Sequence, residues 1–243
     1  MIRTERIDLE PAFVLHSRRY RETSLLIEAF GHDSGRLAVV ARGALRPKSR
    51  MRGLLQPFIP LLISWRGRGE LATLTAAEAQ GEIVPTQGSA TLIGFYVNEL
   101  LLHFLHRHDP EPDLFETYRR TLQRIALEED PEPSLRIFEK RLLQATGYAL
   151  QLEREAKSGA RIVPDARYIY RPDSGPEPWD PRRHSGAGIS GETLLALSEE
   201  RLSKRDTLRE AKQLMRRVIF AHSGEKTLIS RNLWRRRRSS DAA

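Results

Sequence analysis

Thr23-Ser-Leu-Leu-Ile-Glu-Ala-Phe-Gly-His-Asp-Ser-Gly-Arg-Leu-Ala-Val-Val-Ala41 reads as two strand-forming runs, Thr23–Phe30 and Arg36–Ala41, parted by the turn formers of Gly31 to Gly35. Working outward, Ala12–Ser17 precedes them, and Phe58–Trp65 and Leu71–Ala77 follow with the same enrichment in Val, Ile, Leu, Phe and Thr. Gly43 to Pro57 separates the third run from the fourth. Pro60–Trp65 and Leu71–Thr75 form a hairpin pattern around the tip Gly67-Arg-Gly69. Five short strands in about eighty residues suit a small closed barrel, and the OB-fold is the nucleic-acid-binding barrel of that size.

After Pro85 the periodicity becomes helical. Leu92, Phe95, Tyr96, Glu99, Leu100, His103 and Phe104 recur at three-to-four spacing and predict a largely buried helix ending near His106 to Asp109. Leu114–Leu127 and Leu135–Thr146 give two more, with Gly147 suited to close the second of these. An acidic connector, Glu128–Glu132, lies between them. Proline and glycine punctuate residues 155–190, with Arg167–Arg171 a short strand candidate in the middle. Helical spacing resumes at Gly191–Ser198 and at Asp206–His222, where Asp206 is the expected N-cap. The predicted class is α+β. A five-stranded barrel domain occupies residues 1–80. A mainly helical domain with a Pro/Gly-rich insert at about 155–190 follows over residues 81–234, and a basic disordered tail ends the chain at 235–243.

The 243 residues carry 40 Lys and Arg against 32 Asp and Glu, a net of +8. By segment the net charge is +5 over residues 1–80, −6 over 81–200 and +9 over 201–243, so two basic ends flank an acidic middle. The absence of cysteine excludes disulfides, thiol nucleophiles, iron–sulfur clusters and Cys-ligated zinc. Met1 to Glu10 is charged throughout, unlike a signal peptide, and the most apolar run, Leu92 to Leu105, is too short to span a bilayer. The expectation is a soluble, cytoplasmic, basic protein with a polyanionic partner.

No motif makes a case for catalysis. Gly186-Ala-Gly-Ile-Ser-Gly191 has the spacing of a dinucleotide fingerprint, but no strand leads into it. Ser223-Gly-Glu-Lys-Thr227 differs from a P-loop because Glu225 separates the glycine from the lysine. His103, His106 and His108 beside Asp109 form a metal-like cluster at a helix end, where histidines also complement the macrodipole. No cofactor and no metal are expected.

The strongest candidate is Ala41-Arg-Gly-Ala-Leu-Arg-Pro-Lys-Ser-Arg-Met-Arg-Gly53. Between Asp33 and Glu70 there is no carboxylate, while Arg36, Arg42, Arg46, Lys48, Arg50, Arg52, Arg66 and Arg68 all fall there. Such crowding is costly unless a polyanion neutralises it, and a rim loop of cations tracks phosphates without reading sequence. The aromatics of this region, Phe13, Tyr20, Phe30, Phe58 and Trp65, are mostly assigned to the core, so electrostatics should dominate over base stacking. On Asp206–His222, Leu208, Ala211, Met215 and Val218 make an apolar stripe beside Arg205, Arg209, Lys212 and Arg216. That pairing suits an acidic peptide with a hydrophobic end.

These residues also carry a family resemblance. Ala12-Phe-Val-Leu-His-Ser-Arg-Arg-Tyr-Arg-Glu-Thr-Ser24, Gly35-Arg36, Val40-Ala-Arg-Gly43 with its basic loop, and Leu54-Leu-Gln-Pro-Phe58 resemble the bacterial DNA repair protein family RecO. Phe138-Glu-Lys-Arg-Leu-Leu143, Gly147-Tyr148, Leu152-Glu-Arg154 and Ser230-Arg231 followed by Leu233 continue the likeness in order. The resemblance implies an N-terminal OB-fold, a helical C-terminal domain and a non-enzymatic recombination mediator. Such a protein binds single-stranded and duplex DNA, anneals complementary strands, and acts with RecR to load RecA onto DNA coated by single-strand-binding protein (SSB). It also implies recognition of the acidic SSB C-terminal tail, which the reading of the charges places on Arg205, Arg209, Lys212 and Arg216. Many members carry a four-cysteine zinc module; here Glu155 and Ser158 stand where the first ligand pair is expected. An RNA-binding OB-fold module is the alternative reading, and a metal-dependent nuclease using His103 and His106 a third.

Overall fold

The computed structural model describes residues 6–224 apart from 68, 82–87, 128–129 and 185, with Ser89 described for its backbone alone. Five strands open the chain: β1 (Arg6–Tyr20), β2 (Ser24–Gly31), β3 (Gly35–Ala41), β4 (Pro60–Arg66) and β5 (Ala72–Ala79). They run in the order β1-β2-β3-β5-β4, and β4 returns to β1 to close a barrel. Every pairing is antiparallel except β3 with β5. A parallel pair needs a long crossover, and residues 42–71, which include β4, supply it. Alternation sorts the side chains: Ile27 and Ala29, Leu37, Val39 and Ala41, Leu61, Ile63 and Trp65, and Leu74 fill the interior.

β1 is longer at both ends than the Ala12–Ser17 read from sequence. Its charged flanks pair through the backbone, and register shifts between Ile7 and Glu10 and between Val14 and His16 re-aim the side chains. One half of β1 therefore pairs with β4 and the other with β2. Glu10, only 3% exposed, sits between them. It accepts hydrogen bonds from the Asp33 amide (3.0 Å), the Ser34 amide (2.7 Å) and hydroxyl (2.9 Å), and Trp65 Nε1 (3.0 Å).

The outer face of the barrel is apolar around Phe13 and Phe30, and it is covered by α1 (Ser89–Phe104) and α2 (Pro112–Leu127). Phe13 lies 5.5 Å from Phe115 and 5.0 Å, edge-on, from Tyr118; Phe30 lies 5.4 Å from Phe115. Asn98 of α1 donates to the Leu15 carbonyl (2.9 Å) and accepts from the Tyr118 hydroxyl (2.6 Å), and full burial pushes that phenol up. These contacts place both helices with the barrel in one compact unit.

The second unit holds α3 (Glu132–Ala145), β6 (Arg167–Arg171), β7 (Gly175–Pro178), β8 (Ile189–Ser190), α4 (Gly191–Ser198) and α5 (Arg205–His222). It has more sheet than the mainly helical expectation: β7, β6 and β8 form an antiparallel three-stranded sheet. Pro176 and Pro178 are accommodated because β7 is an edge strand. α3 ends as anticipated, with Gly147 at φ 85° and the Tyr148 amide bonded to the Leu143 carbonyl (2.7 Å). At α5 the N-cap is Lys204, and Asp206 lies in the first turn instead. Among the described residues no helix is long and apolar enough to cross a membrane.

Candidate nucleic-acid interface

The basic loop after β3 is folded. A succession of turns carries it, with backbone bonds from Arg46 to Gly43, Ser49 to Arg46, Arg52 to Ser49 and Leu55 to Met51. Gly43, at φ 69°, starts the reversal. Ala44 and Leu55 are buried in the barrel core, with Met51 and Leu54 packed against it. The loop is thus a floor for the barrel, apolar residues inward. Its cations point the other way: Arg42, Arg46, Lys48, Arg50 and Arg52 are all exposed, and none has an ion pair among the described residues. Hydrophobic anchoring of the backbone holds five positive charges at one rim without carboxylate neutralisation, which favours a polyanion there.

The other predicted cations divide. Arg66 is exposed, and its cross-strand neighbour Thr73 pairs in parallel with Val40, so the end of β4 reaches the same end of the barrel as the root of the loop. Arg68 lies outside the described residues. Arg36 has another task. Its Nε donates to Glu28 (3.0 Å) and its Nη1 to the carbonyls of Leu102 (2.5 Å) and Leu105 (3.2 Å). With 18% of its side chain exposed, it clamps the end of α1 to the barrel, its guanidinium engaged by Glu28 and the two carbonyls. Arg107 pairs with the same Glu28. Gly35 permits this approach, because a Cβ there would lie 2.1 Å from the Asp109 carbonyl oxygen.

Sequence reasoning missed a second group. The Leu45 amide donates to the Thr23 carbonyl (2.9 Å), tying the basic loop to the β1–β2 turn. Arg19 faces Leu25, which faces Ala41, the residue before Arg42. Arg18, Arg19 and Arg21 are exposed on this hairpin, so the rim is wider than the run between Asp33 and Glu70. Strand pairing, and not sequence proximity, brings them together.

On α5 the apolar stripe is already occupied. Ala211, Met215 and Val218 are buried with Leu214 and Ile219 inside the second unit, and Leu208 is half-buried. Among the described residues, no open groove runs along that stripe. Lys212 pairs with Glu132, and Arg209 with Asp206 (2.9 Å). Arg205 and Arg216 are exposed. A shallow cleft of about 340 Å³ elsewhere in this unit is lined by Lys140, Gln144, Gln151, Leu152, Glu153 and Arg154.

The remaining motifs resolve structurally. Gly186–Gly191 does contain a strand, β8, but it pairs antiparallel with β6, and Ser190 caps α4 by accepting from the Thr193 amide (3.2 Å). A Cβ on Gly191 would lie 2.0 Å from the Val163 carbonyl oxygen, which accounts for that glycine by packing. Glu225 to Thr227 and Arg235–Arg238 lie outside the described residues. His103 stacks edge-on to Phe104 (5.0 Å), while His106 and His108 are exposed beyond the helix end. Among the described residues no three His, Asp or Glu side chains converge as metal ligands. At Glu155–Ser158 the Ser158 hydroxyl donates to the Glu155 carboxylate, and the Gly159 amide closes the turn on the Glu155 carbonyl (3.0 Å). A zinc module does not fit this donor set, and Leu152 and Ile162 hold the segment by burial instead.

Residues 8–81 match the family model described as Recombination protein O N terminal, and residues 85–231 the one described as Recombination protein O C terminal. The chain belongs to the RecO family. DNA repair protein RecO of Methylococcus capsulatus is 50% identical over 230 residues, covering 95% of this chain and 94% of that one. DNA repair protein RecO of Nitrosospira multiformis is 45% identical over 234 residues (94% and 95%), and that of Paraburkholderia xenovorans 44% over 229 residues (94% and 76%). RecO membership gives the chain a role in DNA repair and recombination.

Proposed function

We propose that the chain is a non-enzymatic recombination mediator of the cytoplasm that binds single-stranded and duplex DNA on an OB-type barrel and anneals complementary strands. The observation that carries this is the anchored rim loop: Arg42, Arg46, Lys48, Arg50 and Arg52 exposed, without an ion pair among the described residues, and held on buried Ala44 and Leu55. Two phosphate backbones brought to one positive rim repel each other less, which lowers the barrier to pairing. In keeping with the RecO family, RecR and the SSB C-terminal tail are the proposed protein partners, with loading of RecA as the outcome. The tail contact rests on charge at Arg205, Arg209 and Arg216.

Annealing of complementary strands, bare or coated with SSB with and without its tail, tests the reading. Bare strands should anneal faster with the protein, and coated strands only when the tail is present. No annealing in any arm overturns the proposal; annealing that ignores the tail removes the SSB contact; tighter binding to RNA than to DNA of the same length favours an RNA-binding module. Replacing Arg46, Lys48, Arg50 and Arg52 by Ala should flatten the log–log salt dependence of single-strand binding by about 3, with unchanged thermal unfolding because the four side chains are exposed.

A further inference from the structure

We infer that Tyr20, with Arg21 beside it, is a base-stacking platform that gives the basic rim its preference for single strands; this rests on the DNA-binding reading of that rim. Of the five aromatics in the barrel segment, Phe13, Phe30, Phe58 and Trp65 are buried in packing. Tyr20 alone among those five is only partly buried. It closes the β1–β2 hairpin opposite Ser24, three residues before the Thr23 carbonyl that receives the Leu45 amide of the basic loop.

Arg21 adopts φ 54° at the start of the turn, and its guanidinium carbon lies 5.3 Å from the centre of the Tyr20 ring. The left-handed backbone turns this residue back over its neighbour. The ring therefore carries a cation on one face, on a hairpin that also bears exposed Arg18 and Arg19 and whose Leu25 pairs with Ala41, next to Arg42. An aromatic ring at a positively charged rim is the arrangement that holds single strands, where the phosphates follow the charge and a base lies on the ring. An incoming base takes the ring face, and the Arg21 guanidinium moves to the adjacent phosphate, exchanging a cation–π contact for a stack and a charge-assisted contact. A duplex keeps its bases stacked internally, so it gains only the electrostatic part.

Binding of the full chain and its Tyr20→Leu and Tyr20→Phe variants to an oligothymidylate, an abasic strand of equal length and a duplex tests this. Tyr20→Leu should weaken oligothymidylate binding roughly 5- to 100-fold, leave abasic and duplex affinities unchanged, and keep the salt slope. Tyr20→Phe should restore the loss. Equal weakening on all three ligands, as from a distorted hairpin, or no weakening on any, overturns the platform. Should the unmodified chain bind none of the three, the rim reading fails first and the platform with it.

Discussion

At the scale of single residues, the same charge does unlike work according to its partners. Glu10 is a carboxylate inside a barrel wall, yet four donors from three residues converge on it. Glu10→Gln leaves one amide nitrogen facing donors that have nothing to receive them. It should lower stability by about 1–3 kcal/mol, read from the denaturant midpoint, with DNA affinity unchanged at temperatures where the variant is folded. Arg36 and Arg46 make the complementary contrast: both are cations in the acid-free run, but one is locked to Glu28 and two helix-end carbonyls while the other is exposed. Spacing along the chain cannot separate them, since the partners of Arg36 lie at Leu102 and Leu105.

At the scale of elements, the loop between β3 and β4 combines support and recognition. Leu55 is its deepest large anchor, 3% exposed. Leu55→Ala should cost about 2–5 kcal/mol, seen in thermal unfolding. It should also weaken DNA binding well below the unfolding temperature although no cation is touched, because the turns that carry the charges lose their footing. Much of this organisation was legible in the sequence. The cores of all five strands follow from runs rich in Val, Ile, Leu, Phe and Thr between turn formers, and α1 to α5 follow from helical patterning. The charged ends of β1 were not legible, because bulges break the period that would reveal them. β7 is short and proline-bearing, and β8 is only Ile189–Ser190, so neither registers as a strand. The α5 stripe was visible as apolar, but periodicity does not say whether a partner or the chain's own core covers it. The hairpin cations Arg18, Arg19 and Arg21 were missed because three-dimensional pairing joins them to the loop.

At the scale of the whole molecule, the carboxyl groups that folding holds low among the described residues, Glu177, Glu200 and Glu210, all lie in the second unit. In the second unit, burial pushes the Glu210 carboxyl up, but hydrogen bonds from Ser190, Thr193 and Arg167 outweigh it and hold it below its ordinary value near 4.5. Glu200 is held low mainly by its hydrogen bond from Arg141, against some burial and with help from Lys140. Groups lowered on folding add stability that is complete above the unfolded value and is lost as pH falls through the folded one. Unfolding of the second unit, followed by hydrogen exchange, should therefore become easier below about pH 4.5. Glu210→Gln should destabilise this unit at neutral pH and make its acid sensitivity shallower; an unchanged acid limb would show that Glu210 does not set it.

The closure of the barrel has a consequence for how the chain is made. β1, β2 and β3 can pair as a meander once Ala41 has left the ribosome, since each turn between them is short. The first half of β1 must wait for β4, and β3 for β5, before the ring is complete. During that interval β1 offers an unpaired edge to any other strand in reach. Its early residues Arg6, Asp8 and Glu10 are charged, which discourages a second nascent chain from taking the place of β4. A charge-stripped β1 should therefore give aggregated protein on synthesis at a rate that slower translation between residues 41 and 79 increases.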